Sequence, residues 1–215
     1  MKPLLMGLED SDKEMTVLSS TIIDMAPELV EIASEPLGEK VDVAKLLAIF
    51  FNQVHIIERF NVFNIEKISG WENWFQIELA YFLHHHVTVQ DGEWWREFNV
   101  KWDGMPADME RCKPDFWLWA GEKDSFYLLE LKQNANLCTA LKGVENDIQK
   151  LSTLTNDKKF NAISYKREYI CKGKFFVLVS KGNPESSKTP VGVTEAYRGS
   201  IGNSGYHFVI YSTCE

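Results

Sequence analysis

The stretch Lys113-Pro-Asp-Phe-Trp-Leu-Trp-Ala-Gly-Glu-Lys-Asp-Ser-Phe-Tyr-Leu-Leu-Glu-Leu-Lys132 decides how this chain is read. Pro114 and Asp115 open an apolar run, Phe116 to Ala120. A polar turn, Gly121 to Ser125, follows, and a second apolar run, Phe126 to Leu131, carries Glu130 and Lys132 at its far end. Two such runs about a short polar turn predict a β-hairpin. Side chains alternate along a strand, so Glu130 and Lys132 share one face and Leu129 and Leu131 the other. In an antiparallel hairpin the start of the first strand lies beside the end of the second, which brings Asp115 next to Glu130 and Lys132. Two neighbouring carboxylates suit Mg²⁺, which takes oxygen ligands and keeps several waters. A metal-bound water is a usable nucleophile beside a phosphodiester, and a nearby ammonium can orient it or neutralise developing charge.

Outward from the hairpin, apolar residues recur at Trp71, Trp74, Phe75, Ile77, Leu79, Phe82 and Leu83, which predicts a largely buried helix over Trp71 to His85. Glu78 sits amid that apolar girth, where a carboxylate needs a partner or a metal. Glu72 stands at the helix start, where the helix dipole alone accounts for an acid. Phe98, Val100 and Trp102 alternate with polar residues, so Glu93 to Trp102 is expected to be a strand. After the hairpin, Leu137, Ala140, Leu141, Val144, Ile148, Leu151 and Leu154 predict a helix over Ala135 to Leu154. Lys174 to Ser180 and Gly205 to Ser212 read as strands, and Asn183 to Gly205 as a long loop around a short Val193–Tyr197 turn.

Pro114-Asp115 with Glu130-Leu131-Lys132, set in this order of elements, resembles the PD-(D/E)xK nuclease superfamily. The resemblance implies an α/β (α+β) restriction-endonuclease-like core, helix–three strands–helix–strand in a mixed sheet, from about Trp71 to Tyr211. It implies a metal-dependent nuclease hydrolysing DNA, with Mg²⁺ as cofactor and Mn²⁺ as a substitute; RNA stays open as a substrate. Asp115, Glu130 and the Leu131 carbonyl would be metal ligands, Lys132 would assist the attacking water, and Glu78 would complete the acidic pocket. On the second helix it makes Gln149 and Lys150 candidates for nucleic-acid contact, although charged helix faces are ordinarily solvated. A second reading is a subunit of the same fold that is latent alone and binds within a larger nucleic-acid-processing complex. A third is an interaction protein with a degenerate site.

The 215 residues suit one compact unit. The formal charge is −8, but residues 1–110 carry 8 basic and 20 acidic side chains while residues 111–215 carry 15 and 11. Lys158, Lys159, Lys166 and Arg167 belong to a basic cluster that suits either phosphate contact or a solvated loop. Residues 1–40 hold nine acidic and three basic side chains, a composition that disfavours DNA and suits a basic protein partner, and the N-terminal helices are also candidates for a homodimer contact. Val41 to Phe60 reads as one helix, and residues 1–65 as a helical extension on or beside a core at 66–215. Cys112, Cys138, Cys171 and Cys214 show no zinc spacing, and His84 to His86 read as a helix end. With no apolar window of membrane-spanning length and no export pattern, a cytoplasmic protein without membrane contact is expected.

Overall fold

The computed structural model describes residues 41–86, 94–164, 166–182, 184 and 188–214. The chain divides into Met1–Pro36, which lies outside the described residues together with the expectations placed there, and Leu37–Glu215. Among the described residues are four helices and eight strands: α1 Val43–Phe51, α2 Val54–Ile65, α3 Glu72–His86, β1 Trp94–Arg96, β2 Val100–Lys101, β3 Phe116–Trp119, β4 Ser125–Gln133, α4 Leu137–Lys150, β5 Lys159–Ala162, β6 Arg167–Ser180, β7 Thr194–Ser200 and β8 His207–Ser212. The architecture is a curled mixed α+β sheet with helices on both faces.

The hairpin forms in the expected register. Phe116 pairs with Leu129 and Trp119 with Phe126, and the turn closes through Gly121 at φ 84° and Asp124 at φ 58°. β1 adds antiparallel to β3. β4 runs parallel to β6, with Glu130 opposite Phe176. A parallel pair needs a long crossover, and α4 lies within it. Along its other edge the fourteen-residue β6 serves two partners: its first part pairs with β5 and its last part with β8, which in turn pairs with β7.

Alternation along the central strands sorts side chains between two cores. Leu129, Leu131, Val177 and Ile210 join one cluster with α1 to α3, while Leu128, Phe176, Leu178 and Val209 join another with Ala140 and Val144 of α4. The first core is strongly aromatic. Phe51 stacks on Phe208 at 4.1 Å between ring centroids, and Phe75 of α3 lies against Phe50 and Phe51. These rings fix α3 against the sheet and so determine which of its residues reach the hairpin.

Several sequence expectations change. Val41 to Phe60 is not one helix: α1 ends where the Asn52 side-chain amide donates to the Ala48 carbonyl at 2.8 Å, and Gln53 is extended before α2 begins. Both helices pack in the same core as the sheet. The expected strand at Glu93 to Trp102 is two strands in its described part, because Glu97 takes a left-handed conformation at φ 56°. β1 then stays with β3, while β2 crosses to β5. The Asn183 to Gly205 loop contains the seven-residue strand β7.

Candidate active site

Asp115 lies one residue before β3. Its Oδ2 accepts a hydrogen bond from the Leu131 backbone N–H at 2.6 Å, and its Oδ1 accepts from Gln76 Nε2 on α3 at 2.8 Å. The Gln76 carbonyl oxygen accepts in turn from Arg96 Nη2 at 2.8 Å. The Arg96 donor sets the orientation of the Gln76 amide, whose NH₂ is then aimed at the carboxylate. Gln76 is only 4% exposed, and this chain of contacts gives its polar atoms their partners.

Glu130, 4% exposed, faces α4. Lys150 Nζ stands 2.7 Å from its Oε1. Lys132, two residues along the same face, has its Nζ 3.1 Å from Asp147 Oδ2, and Lys150 Nζ is 4.0 Å from the other oxygen of Asp147. α4 is anchored at both ends to hold this arrangement. Asn136 Oδ1 accepts from the Thr139 N–H at 3.1 Å at its start. At its end, Lys174 Nζ from β6 donates to the carbonyls of Leu151 and Leu154. Gly143 is set by the same packing: a Cβ there would stand 2.7 Å from Lys132 Cγ and 2.8 Å from its Cδ. The lysine stem lies where a side chain would otherwise be.

Electrostatics follow from burial. Desolvation raises the Asp115 carboxyl above the usual aspartate range, against the Leu131 N–H and the Lys132 charge, which lower it. Desolvation also raises Glu130, opposed by Lys150 and reinforced by Asp115 and Asp147. For Lys150, burial alone would lower the ammonium, but Glu130 and Asp147 more than offset this and leave it raised. The carboxylate shift favours a neutral Glu130, whereas the lysine shift favours an ion pair. A separation of 2.7 Å between nitrogen and oxygen accords with the pair being charged. Lys132 is likewise raised: burial lowers it, and Asp147 and its neighbours outweigh that. It is therefore an ammonium at neutral pH. Cys112 is pushed up to about 12 by burial, which keeps it a thiol beside this group.

No family model, curated protein or solved structure matches the chain.

The Leu131 N–H donates to Asp115 Oδ2, and the charges of Glu130 and Lys132 lie near enough to act with that of Asp115. Glu78 is not brought to them. It accepts from Trp74 Nε1 at 3.0 Å and lies 3.6 Å from His55 Nε2. The side of α3 toward Asp115 carries Gln76 and, one turn earlier, Glu72, whose charge acts on both Asp115 and Lys132. Gln149 is exposed and lines a separate groove of ≈ 510 Å³ with Glu145 and Ile148, away from Lys150. Lys158, Lys159 and Lys166 line an open groove of ≈ 780 Å³ with Lys101. Arg167 lies nine strand positions before Phe176, the partner of Glu130, on the order of 30 Å at ~3.3 Å per residue. Part of that basic charge is already matched, Lys159 by Glu168 and Arg167 by Asp124.

Among the described residues no three His, Cys, Asp or Glu side chains gather as a metal cage. The donor set at Asp115 and Glu130 is two carboxylates with no imidazole and no thiolate. That set fits a water-rich hard cation such as Mg²⁺, which commonly takes one or two protein carboxylates, and does not fit a structural zinc. No described helix is long and apolar enough to cross a membrane.

Proposed function

We propose that the protein is a divalent-metal-dependent nuclease with a restriction-endonuclease-like core, cutting DNA phosphodiester bonds at Asp115, Glu130 and Lys132. The observation that carries this reading is the placement of those three residues at one end of the β3–β4 hairpin, with Lys132 an ammonium on the same face as Glu130. The order α3, β1, β3, β4, α4, β6, with β6 parallel to β4, supports the finer fold assignment.

Asp115 and Glu130 would hold Mg²⁺, or Mn²⁺ in its place. Bound there, the ion supplies Lewis acidity and a water of lowered pKa. Gln76, oriented by Arg96, and the Leu131 N–H fix both oxygens of Asp115 before substrate arrives. Such preorganisation favours catalysis because no rearrangement is needed as charge develops. Lys132, held protonated by Asp147, cannot take a proton from water. Its role is to stabilise negative charge on the phosphorus centre and to position the attacking water. Lys158, Lys159 and Lys166 would contact the phosphate backbone away from the scissile bond and confer salt-dependent affinity.

The alternative is a subunit that acts only beside a partner. The formal charge of −8 favours it, since an acidic chain gains little from non-specific attraction to a polyanion. End-labelled single-stranded and duplex DNA, incubated with the protein and Mg²⁺, Mn²⁺ or EDTA, separates the two readings. Metal-dependent cleavage that is lost in Glu130→Gln supports the nuclease. No cleavage by the folded protein alone favours the partner-dependent subunit.

A further inference from the structure

The acidic site already contains a cation of its own. Lys150 Nζ lies 2.7 Å from Glu130 Oε1, and Glu130 is 4% exposed, so bulk water does little to weaken the pair. Besides Glu130, the groups facing this ammonium are Asp147 on its own helix and the Cys112 thiol near the β2 bridge, while Asp115 and Lys132 act on Glu130 itself. A divalent ion ligated by Glu130 and the ammonium of Lys150 compete for the same buried carboxylate. Asp147 Oδ1, 4.0 Å from Lys150 Nζ, provides a second acceptor within reach of a side-chain rotation.

We infer that Lys150 is an internal counter-cation that occupies Glu130, sets the divalent-ion concentration the site requires, and moves onto Asp147 when the metal binds. The inference rests on the metal-site reading above and adds to it a residue that weakens metal binding instead of contributing to it. Its role in the resting protein is to keep a buried carboxylate paired. An isolated buried charge is costly, and the pairing spares the fold that cost when no metal is present. Lys132 is excluded from the same role because Asp147 holds it, at 3.1 Å.

The test is calorimetric titration of Mn²⁺ into the whole chain, with thermal melts in the presence and absence of Mn²⁺, for the parent, Lys150→Met, Lys150→Arg and Glu130→Gln. Removing an ammonium bound to a buried carboxylate is expected to tighten Mn²⁺ binding about tenfold or more in Lys150→Met. The same variant should show a larger Mn²⁺-induced rise in melting temperature than the parent. Lys150→Arg, which keeps the charge, should not tighten binding, and Glu130→Gln should abolish it. If Lys150→Met does not fold, Lys150→Gln carries the test, since it retains a hydrogen-bond donor without the charge. Equal or weaker Mn²⁺ affinity in the uncharged variant, with binding still lost in Glu130→Gln, overturns this inference and leaves the metal site standing. Absence of Mn²⁺ binding in the parent and in the uncharged variant overturns both.

Discussion

Gly143→Ala separates the position of Lys132 from the stability of the fold. The new Cβ would meet Lys132 Cγ at 2.7 Å and Cδ at 2.8 Å. Carbon atoms pack comfortably at about 3.5–4.0 Å, so the lysine stem must retreat by roughly 1 Å. It is a flexible chain, and its end carries the 3.1 Å contact with Asp147. On the stability side, alanine in place of glycine within α4 favours the helix by about 1 kcal/mol. Against this stands the loss of a partly exposed Lys132–Asp147 pair, worth at most about 1 kcal/mol. The two offset, and the net change in unfolding free energy should lie within about 1 kcal/mol of zero. Catalysis has no such compensation: displacing a positioned group by 1 Å can cost on the order of 100-fold. The expected result is an unchanged urea midpoint with metal-dependent cleavage reduced by about 10- to 100-fold. Cleavage at the parental rate would refute the requirement for Lys132 where it stands. A destabilisation beyond about 3 kcal/mol would refute the claim that its stem can yield.

Burial raises Asp115 to about 6, so between about pH 4, where the unfolded carboxyl titrates, and pH 6 the folded chain holds a proton the unfolded chain has released. The contribution of Asp115 to stability therefore falls as pH rises through that window and levels off above it. Asp115→Asn should lessen the fall when urea midpoints at pH 4.5 and pH 7.5 are compared; an unchanged fall would show that Asp115 does not contribute to it. Glu72→Gln should reduce metal-dependent cleavage several-fold, whereas Glu78→Gln, at a residue engaged with Trp74 and His55, should leave it at the parental rate. The reverse order in a steady-state assay would restore Glu78 to the site. Phe51→Ala removes a fully buried ring stacked on Phe208 and should lower stability by about 3–5 kcal/mol, read as a depressed melting temperature.

The hairpin was legible because its information is local. Two apolar runs, a turn with Gly121, and the alternation of Leu129, Glu130, Leu131 and Lys132 determine register and facing without reference to the rest of the chain. The choice among residues of α3 was not local. Apolar residues run nearly all the way round that helix, so the sequence pattern does not say which side meets the hairpin. Contacts of Phe75 with Phe50 and Phe51 settle that phase, and with it Gln76 turns to Asp115 while Glu78 turns to His55. Gln76 and Arg96 carried one usable signal, polarity within otherwise apolar segments. Asp147 carried another, the i,i+3 spacing to Lys150 that puts both on one helix face. β7 left no trace in the sequence because it lies at the sheet's edge beside β8 and its side chains are largely exposed, so no alternation of apolar residues marks it.

Relaxation of supercoiled plasmid by the parent protein and by Asp115→Asn, in Mg²⁺ and in EDTA, tests the central claim most directly. Nicking that requires Mg²⁺ and disappears in Asp115→Asn, with the variant folded, is the predicted result. Nicking by the Asp115→Asn protein at the parental rate, or nicking by the parent that persists in EDTA, would contradict it.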